Sequence, residues 1–162
     1  MFELCAAPSK YDSSVGGVRA GDDVVRLFAG ATAVLARCAA ERKGTFASTA
    51  FAAASSTTEP QFARRCLQQL PVQGGGTVGE LFTYTQIYPG SKGRQHFPAL
   101  QRESGVPYSS MIFFDDCTYG DNCGDVARLC TGALCVRTPD GLTEERFQAA
   151  LDAFALGQVG VL

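Results

Sequence analysis

No apolar run in this 162-residue sequence approaches the ~20 residues that a membrane-crossing helix needs. The opening "MFELCAAPSK" also lacks the basic region and long apolar core of a secretion signal. The expectation is a soluble cytoplasmic protein with no membrane partner. Charge of one sign is equally scarce, since 14 basic residues against 16 acidic ones leave a formal charge of -2. That balance gives no electrostatic case for a nucleic-acid partner or an anionic lipid surface.

Motifs for thiol and nucleotide chemistry are missing as well. Seven cysteines, at positions 5, 38, 66, 117, 123, 130 and 135, contain no CxxC and no Cys/His ligand spacing, which argues against zinc. Without a secretion signal they are expected to be reduced thiols, mostly small buried hydrophobes. A thiol phosphatase needs Cys-x5-Arg, and here Arg128 follows Cys123 after only four residues. The "GGG" at 74–76 is not followed by Gly-Lys-Ser/Thr and reads as a flexible turn rather than a nucleotide loop. No internal repeat or low-complexity tract stands out.

What is present is an ordinary globular composition, 46% hydrophobic and 19% charged, in a chain long enough for one sizeable core. Residues 30–43, "GATAVLARCAAERK", place Val34, Leu35 and Cys38 on one helical face, with Gly44 as the stop. "TFASTAFAAAS" reads as a small-residue strand ending near Ser55. In "SSTTEPQFARRCLQQL" the Ser56/Glu59 pair forms a capping-box pattern opening a helix that buries Phe62, Cys66 and Leu70. "PVQGGGT" breaks that helix, "LFTYTQIY" is the next strand, and "PGSK" leads into a helix closed by Gly105. "SSMIFF" is apolar enough for a strand covered on both faces. A short helix around "NCGDVARLC", the strand "ALCVR", the turn "TPDG" and a last helix "LTEERFQAALDAFAL" complete the chain.

Repeated strand–helix alternation predicts a Rossmann-like three-layer α/β/α fold, a parallel sheet covered by helices on both sides. The expected organisation is a single domain, with residues 30–162 the α/β core.

The stretch "IFFDDCTYGDN" runs three apolar side chains into two adjacent carboxylates, Asp115 and Asp116. Burying a carboxylate unpaired costs several kcal/mol, so the pair requires solvent, a cation or a hydrogen-bonding loop. In open α/β sheets ligands bind beyond the carboxyl ends of the strands. Three polar groups fall at such ends: Ser55 with Ser56 and Thr57, Lys92, and Asp115 with Asp116. Hydroxyls and backbone N–H groups can hold phosphate oxygens, the lysine can neutralise their charge, and the carboxylates can hold Mg2+. That composition fits phosphoryl transfer. Each residue also has a plainer reading: Ser55 as part of a capping turn, Lys92 as a solvated lysine, Asn122 as a helix N-cap, Asp125 as a first-turn charge and His96 as a packed or surface helix residue.

The segments "FAAASSTTE", "IYPGSK", "ESGVPYSSMIFFDD" and "DGLTEERFQAALDAFALGQVGVL" resemble the eukaryotic magnesium-dependent phosphatase family of the haloacid dehalogenase (HAD) superfamily. The similarity covers most of residues 22–162 and is most specific from Ile87 to Asp116. It implies a Mg2+-dependent phosphomonoesterase acting on a small phosphorylated substrate, a sugar or sugar-amine phosphate, or on a phosphotyrosine protein, through an aspartyl-phosphate. By the resemblance Ser55 is the phosphate-binding hydroxyl, Lys92 steadies phosphate and nucleophile, and Asp115, with Asp116, is the magnesium carboxylate. The resemblance also implies a single HAD-like domain with no large cap domain, residues 1–29 being a loop or small cap-like insertion, and a monomer is expected.

The sequence departs from the family at the nucleophile. There an Asp-x-Asp pair ends the first strand, the first aspartate attacking phosphorus and the second acting as general acid and base. No Asp-x-Asp occurs here, and Asp22 and Asp23 are adjacent and follow Gly21 without an apolar strand. By the resemblance "MFEL" lies just downstream of a first strand, so the expectation is a chain shortened at its N-terminus or started too late. The alternative is a catalytically inactive HAD-like binding remnant. Ser56 stands where a larger basic residue is expected, the loop 117–121 is longer, and "SKGRQHF" carries one extra residue before His96.

Overall fold

The computed structural model of the chain describes residues 10–20 and 23–162. Cys5, "MFEL" and Asp22 lie outside the described residues. Strands β1 (Tyr11–Asp12), β2 (Gly17–Ala20) and β3 (Asp23–Val25) form an antiparallel sheet with Tyr11 opposite Val18 and Val18 opposite Val25. Helix α1 (Ala29–Ala40) buries Val34 and Cys38 as its pattern predicts. It ends before Gly44 because the following residues close turns of their own: Glu41 O accepts from Gly44 N and Phe46 N. Those satisfied backbone groups need no strand partner, so the expected strand contracts to β4 (Ala52–Ser55).

Helix α2 (Pro60–Gln69) does not open on the Ser56/Glu59 capping box. Its N-cap is Glu59, and the Thr57 hydroxyl oxygen accepts from Glu59 N at 3.0 Å. A residue preceding proline resists helical backbone, whereas Pro60 itself suits the first helical position. A reciprocal capping box forms instead at Thr77 and Glu80, starting α3 (Val78–Leu81). The front of "LFTYTQIY" is therefore helical, and β5 spans Tyr84–Ile87. Cys66, Leu70, Val72 and Val78 pack with Val18, which seats the antiparallel sheet against the carboxyl end of α2.

A π-helical turn at Lys92–His96 runs into α4 (Phe97–Ser104), which Gly105 closes in the left-handed conformation at φ 70°. Then follow β6 (Ile112–Asp115), α5 (Asn122–Leu129), β7 (Leu134–Arg137) and α6 (Glu144–Ala155), whose N-cap Thr143 accepts from Arg146 N. A final strand, β8 (Gly160–Val161), was not foreseen and pairs parallel with β7.

Strands β4 and β5 are parallel, as are β6, β7 and β8, but the two groups form separate sheets. Phe51 O and Ser55 O accept from β5-side amides, and Met111 O and Asp115 O accept from β7-side amides. Pairing groups alternate along a strand, so the N–H and C=O of Ala52 and Ala54 face away from β5, and those of Ile112 and Phe114 face away from β7. Among the described residues no strand lies between those two edges. Helices cover both faces: the Phe113 ring meets Phe97 of α4 edge-on at 5.0 Å, while Phe114 lies 5.7 Å from Phe147 of α6. The result is a mixed α/β fold with parallel sheets and no large cap. No described helix is long and apolar enough to cross a membrane.

Of the six described thiols, all free, five are buried and Cys117 is half-buried. Burial pushes Cys38 up to about 11 and Cys135 up to about 12. The five buried thiols pack within the hydrophobic clusters.

Candidate active site

Lys92 enters the site from a turn built around one extra residue. Phe97 N–H donates to Lys92 O, five residues back, which gives the turn one residue more than an α-helical one. Ser91 fixes the start of the turn, its hydroxyl accepting from Arg94 N at 3.3 Å and its N–H donating to Gln95 Oε1 at 3.1 Å. Gly93 lets the turn lie directly on α5: a Cβ there would stand 3.0 Å from Asp125 O and from Leu129 Cδ1.

So placed, the Lys92 ammonium donates to Asp115 Oδ2 at the end of β6 and lies 5.5 Å over the Phe113 ring. The other carboxylate oxygen, Oδ1, accepts from Cys117 N at 2.9 Å and Asn122 Nδ2 at 3.0 Å. Cys117 takes the left-handed φ of 55° in this turn. Asp115 is 8% exposed. Burial pushes its carboxyl up, but the hydrogen bonds from Lys92 and Asn122, the lysine's charge and the Cys117 N–H together outweigh that, and the net direction is down. Asp115 is thus held as a buried carboxylate.

The remaining expected residues divide. Ser55 ends β4 and is half-buried; Ser56 is exposed; Thr57 spends its hydroxyl on the Glu59 amide. Asp116 is exposed and accepts from Thr118 N at 3.1 Å, away from the Lys92 pairing. Its side chain turns the loop rather than joining Asp115. Among the described residues no group of three or more His, Cys, Asp or Glu side chains is gathered as a metal site. The donors present are hard carboxylate oxygens, and Mg2+ is commonly held by one or two carboxylates with waters. In donor type Asp115 and Asp116 fit that ion.

Asn122 is not the N-cap of α5. Asp121 caps the helix, accepting from Gly124 N at 3.0 Å and from Arg137 Nη2 at 2.8 Å, which frees the Asn122 amide to reach back to Asp115. Of the two readings of His96, packed or surface helix residue, the structure shows the packed one: its ring is fully buried four residues past Lys92.

The Acid Phosphatase family profile matches residues 2–156. The chain belongs to the acid phosphatase family. Among curated proteins it is similar to Magnesium-dependent phosphatase 1 of Homo sapiens, 37% identical over 111 residues, covering 68% of this chain and 57% of that protein. It also resembles a HAD-like hydrolase superfamily protein of Schizosaccharomyces pombe, 41% identical over 66 residues, or 39% of this chain and 38% of that one. The chain therefore spans little more than half the length of the human relative and less of the yeast one. The structure brings Lys92 and Asp115 into contact, while Ser55 lies at the end of β4.

Proposed function

We propose that this protein is a Mg2+-dependent phosphatase that hydrolyses phosphate monoesters, phosphotyrosine or sugar or sugar-amine phosphates. The observation that carries the reading is the Lys92–Asp115 pair, 11% and 7% exposed, joined at the carboxyl ends of β5 and β6. A buried ammonium with one carboxylate partner can exchange part of that partnership for phosphate oxygens at modest electrostatic cost. The Ser55 hydroxyl donates to a second phosphoryl oxygen. Lys92 neutralises charge as the ester bond breaks, and its hold on Asp115 keeps both groups in place, so that catalysis comes from positioning and electrostatics. Mg2+ would be held through Asp115 and, were its carboxylate to leave Thr118 N, Asp116, and would supply charge neutralisation at the phosphoryl group.

The reaction also needs a nucleophile, and the 162 residues contain no Asp-x-Asp. The open edges at Ala52 and Ala54 and at Ile112 and Phe114 support the proposal that a parallel strand bearing the nucleophilic aspartate fits between β4 and β6. Two unpaired edges within a helix-covered sheet are costly to leave open. The same absence favours a second reading, a non-catalytic phosphoryl-binding remnant. Hydrolysis of p-nitrophenyl phosphate by this chain, beside a form extended upstream in frame, separates them. EDTA-sensitive turnover only in the extended form supports the phosphatase; no turnover in either folded form supports the remnant.

A further inference from the structure

The His96 imidazole is fully buried and makes contacts that join three segments of the site. Its Nε2 lies 3.1 Å from Ser55 O at the end of β4 and 3.0 Å from Tyr88 O just past β5. Its Nδ1 lies 3.3 Å from Ser91 O, immediately before Lys92. The ring stacks on Tyr88 at 4.3 Å, with the planes 9° apart. Ser55 O also accepts Tyr88 N at 3.1 Å, so the strand ends are fastened to each other and to one imidazole.

The chemistry of these partners is telling. All three are carbonyl oxygens; Ser55 O and Ser91 O also accept the Tyr88 and Gln95 amides, and a neutral imidazole adds one N–H, which placed at Nε2 is shared between Ser55 O and Tyr88 O. A flat ring with nitrogens on two edges reaches both the strand ends and the Ser91 carbonyl, which an aliphatic side chain cannot do. The π-helical turn sends Lys92 toward Asp115 and returns His96 beneath Ser55. We propose that His96 is a positioning residue: it locks the backbone of Ser55 to the turn bearing Lys92 and so sets the separation at which the two hold a phosphoryl group. This rests on the function proposed above. His96 does not touch the phosphoryl group itself.

The test uses His96→Leu, which keeps volume without a donor, and His96→Gln, which keeps an N–H near the Nε2 position. Two readouts are taken on folded protein: affinity for inorganic phosphate with Mg2+ by calorimetry, and amide hydrogen exchange by NMR. His96→Leu is expected to weaken phosphate tenfold or more and to speed exchange of the Tyr88 and Gln95 amides, leaving Val136 and Ala150 as in wild type. His96→Gln is expected to recover most of both. Should His96→Leu not fold, His96→Asn, whose amide is too short to reach the strand ends, carries the same expected losses.

Phosphate affinity within twofold of wild type in the variant lacking the donor, while Lys92→Met abolishes binding, overturns the role of His96 and leaves the functional reading intact. If wild type binds no phosphate, that functional reading fails instead. The exchange data then decide alone: faster Tyr88 exchange reversed by Gln sustains the tie, and unchanged exchange overturns it.

Discussion

Lys92 and Asp115, 23 positions apart and following different strands, meet as a buried ion pair with Phe113 beneath the ammonium. Removing one partner strands the other charge in a poorly solvated place. Lys92→Met is expected to cost about 3–5 kcal/mol in urea unfolding, and the Lys92→Met/Asp115→Asn double variant clearly less than the sum of the singles. Additive losses would mean that the two charges do not depend on each other.

The same pair sets a pH dependence. Asp115 has its carboxyl held below its ordinary value of 3.8, so the folded form binds its proton less readily than the unfolded chain. Its contribution to stability is fully present above 3.8 and is lost as pH falls through the lower folded value. Thermal unfolding of wild type and Asp115→Asn should therefore differ most near neutral pH and converge in acid. A gap that widens as pH falls contradicts the assignment.

How much of this was legible in the sequence varied with the kind of signal. Long periodic segments were readable: the buried Val34/Cys38 face of α1, the Gly105 stop, the apolar β6 and the last helix all follow from pattern and cap chemistry. So was the placing of Ser55, Lys92 and Asp115 at strand ends, because it needs only element order. Pro60 overrode the Ser56/Glu59 motif through backbone sterics, a local effect the motif ignores. The Asn122 contact with Asp115 and the carbonyl partners of His96 were hidden for a different reason. Both depend on carboxylate and carbonyl groups brought close only by tertiary packing.

The split between the parallel sheets has its own signature. Amides of Ala52, Ala54, Ile112 and Phe114 point to the open edges and should exchange rapidly, whereas those of Ala53, Ser55, Phe113 and Asp115 pair within their sheets and should be protected. NMR exchange at neutral pH reads this directly. Equal protection across all eight would mean that the edges are already filled.

Gly93 carries a packing prediction. Gly93→Ala pushes a methyl group to within 3.0 Å of Asp125 O and Leu129 Cδ1, so the Lys92 turn must lift from α5. A loss of about 1–3 kcal/mol is expected, with weaker phosphate binding alongside it. Unchanged stability in chemical unfolding would show that the turn has room.

The central claim is that Ser55, Lys92 and Asp115 together hold a phosphoryl group with Mg2+. Calorimetric titration of inorganic phosphate into the 162-residue chain, with Mg2+ and with EDTA, tests it most directly, using Ser55→Ala and Lys92→Met as comparisons. The account predicts Mg2+-dependent binding that weakens in Ser55→Ala and disappears in Lys92→Met. Absence of binding by the folded wild-type chain, or binding that Lys92→Met leaves unchanged, would contradict it.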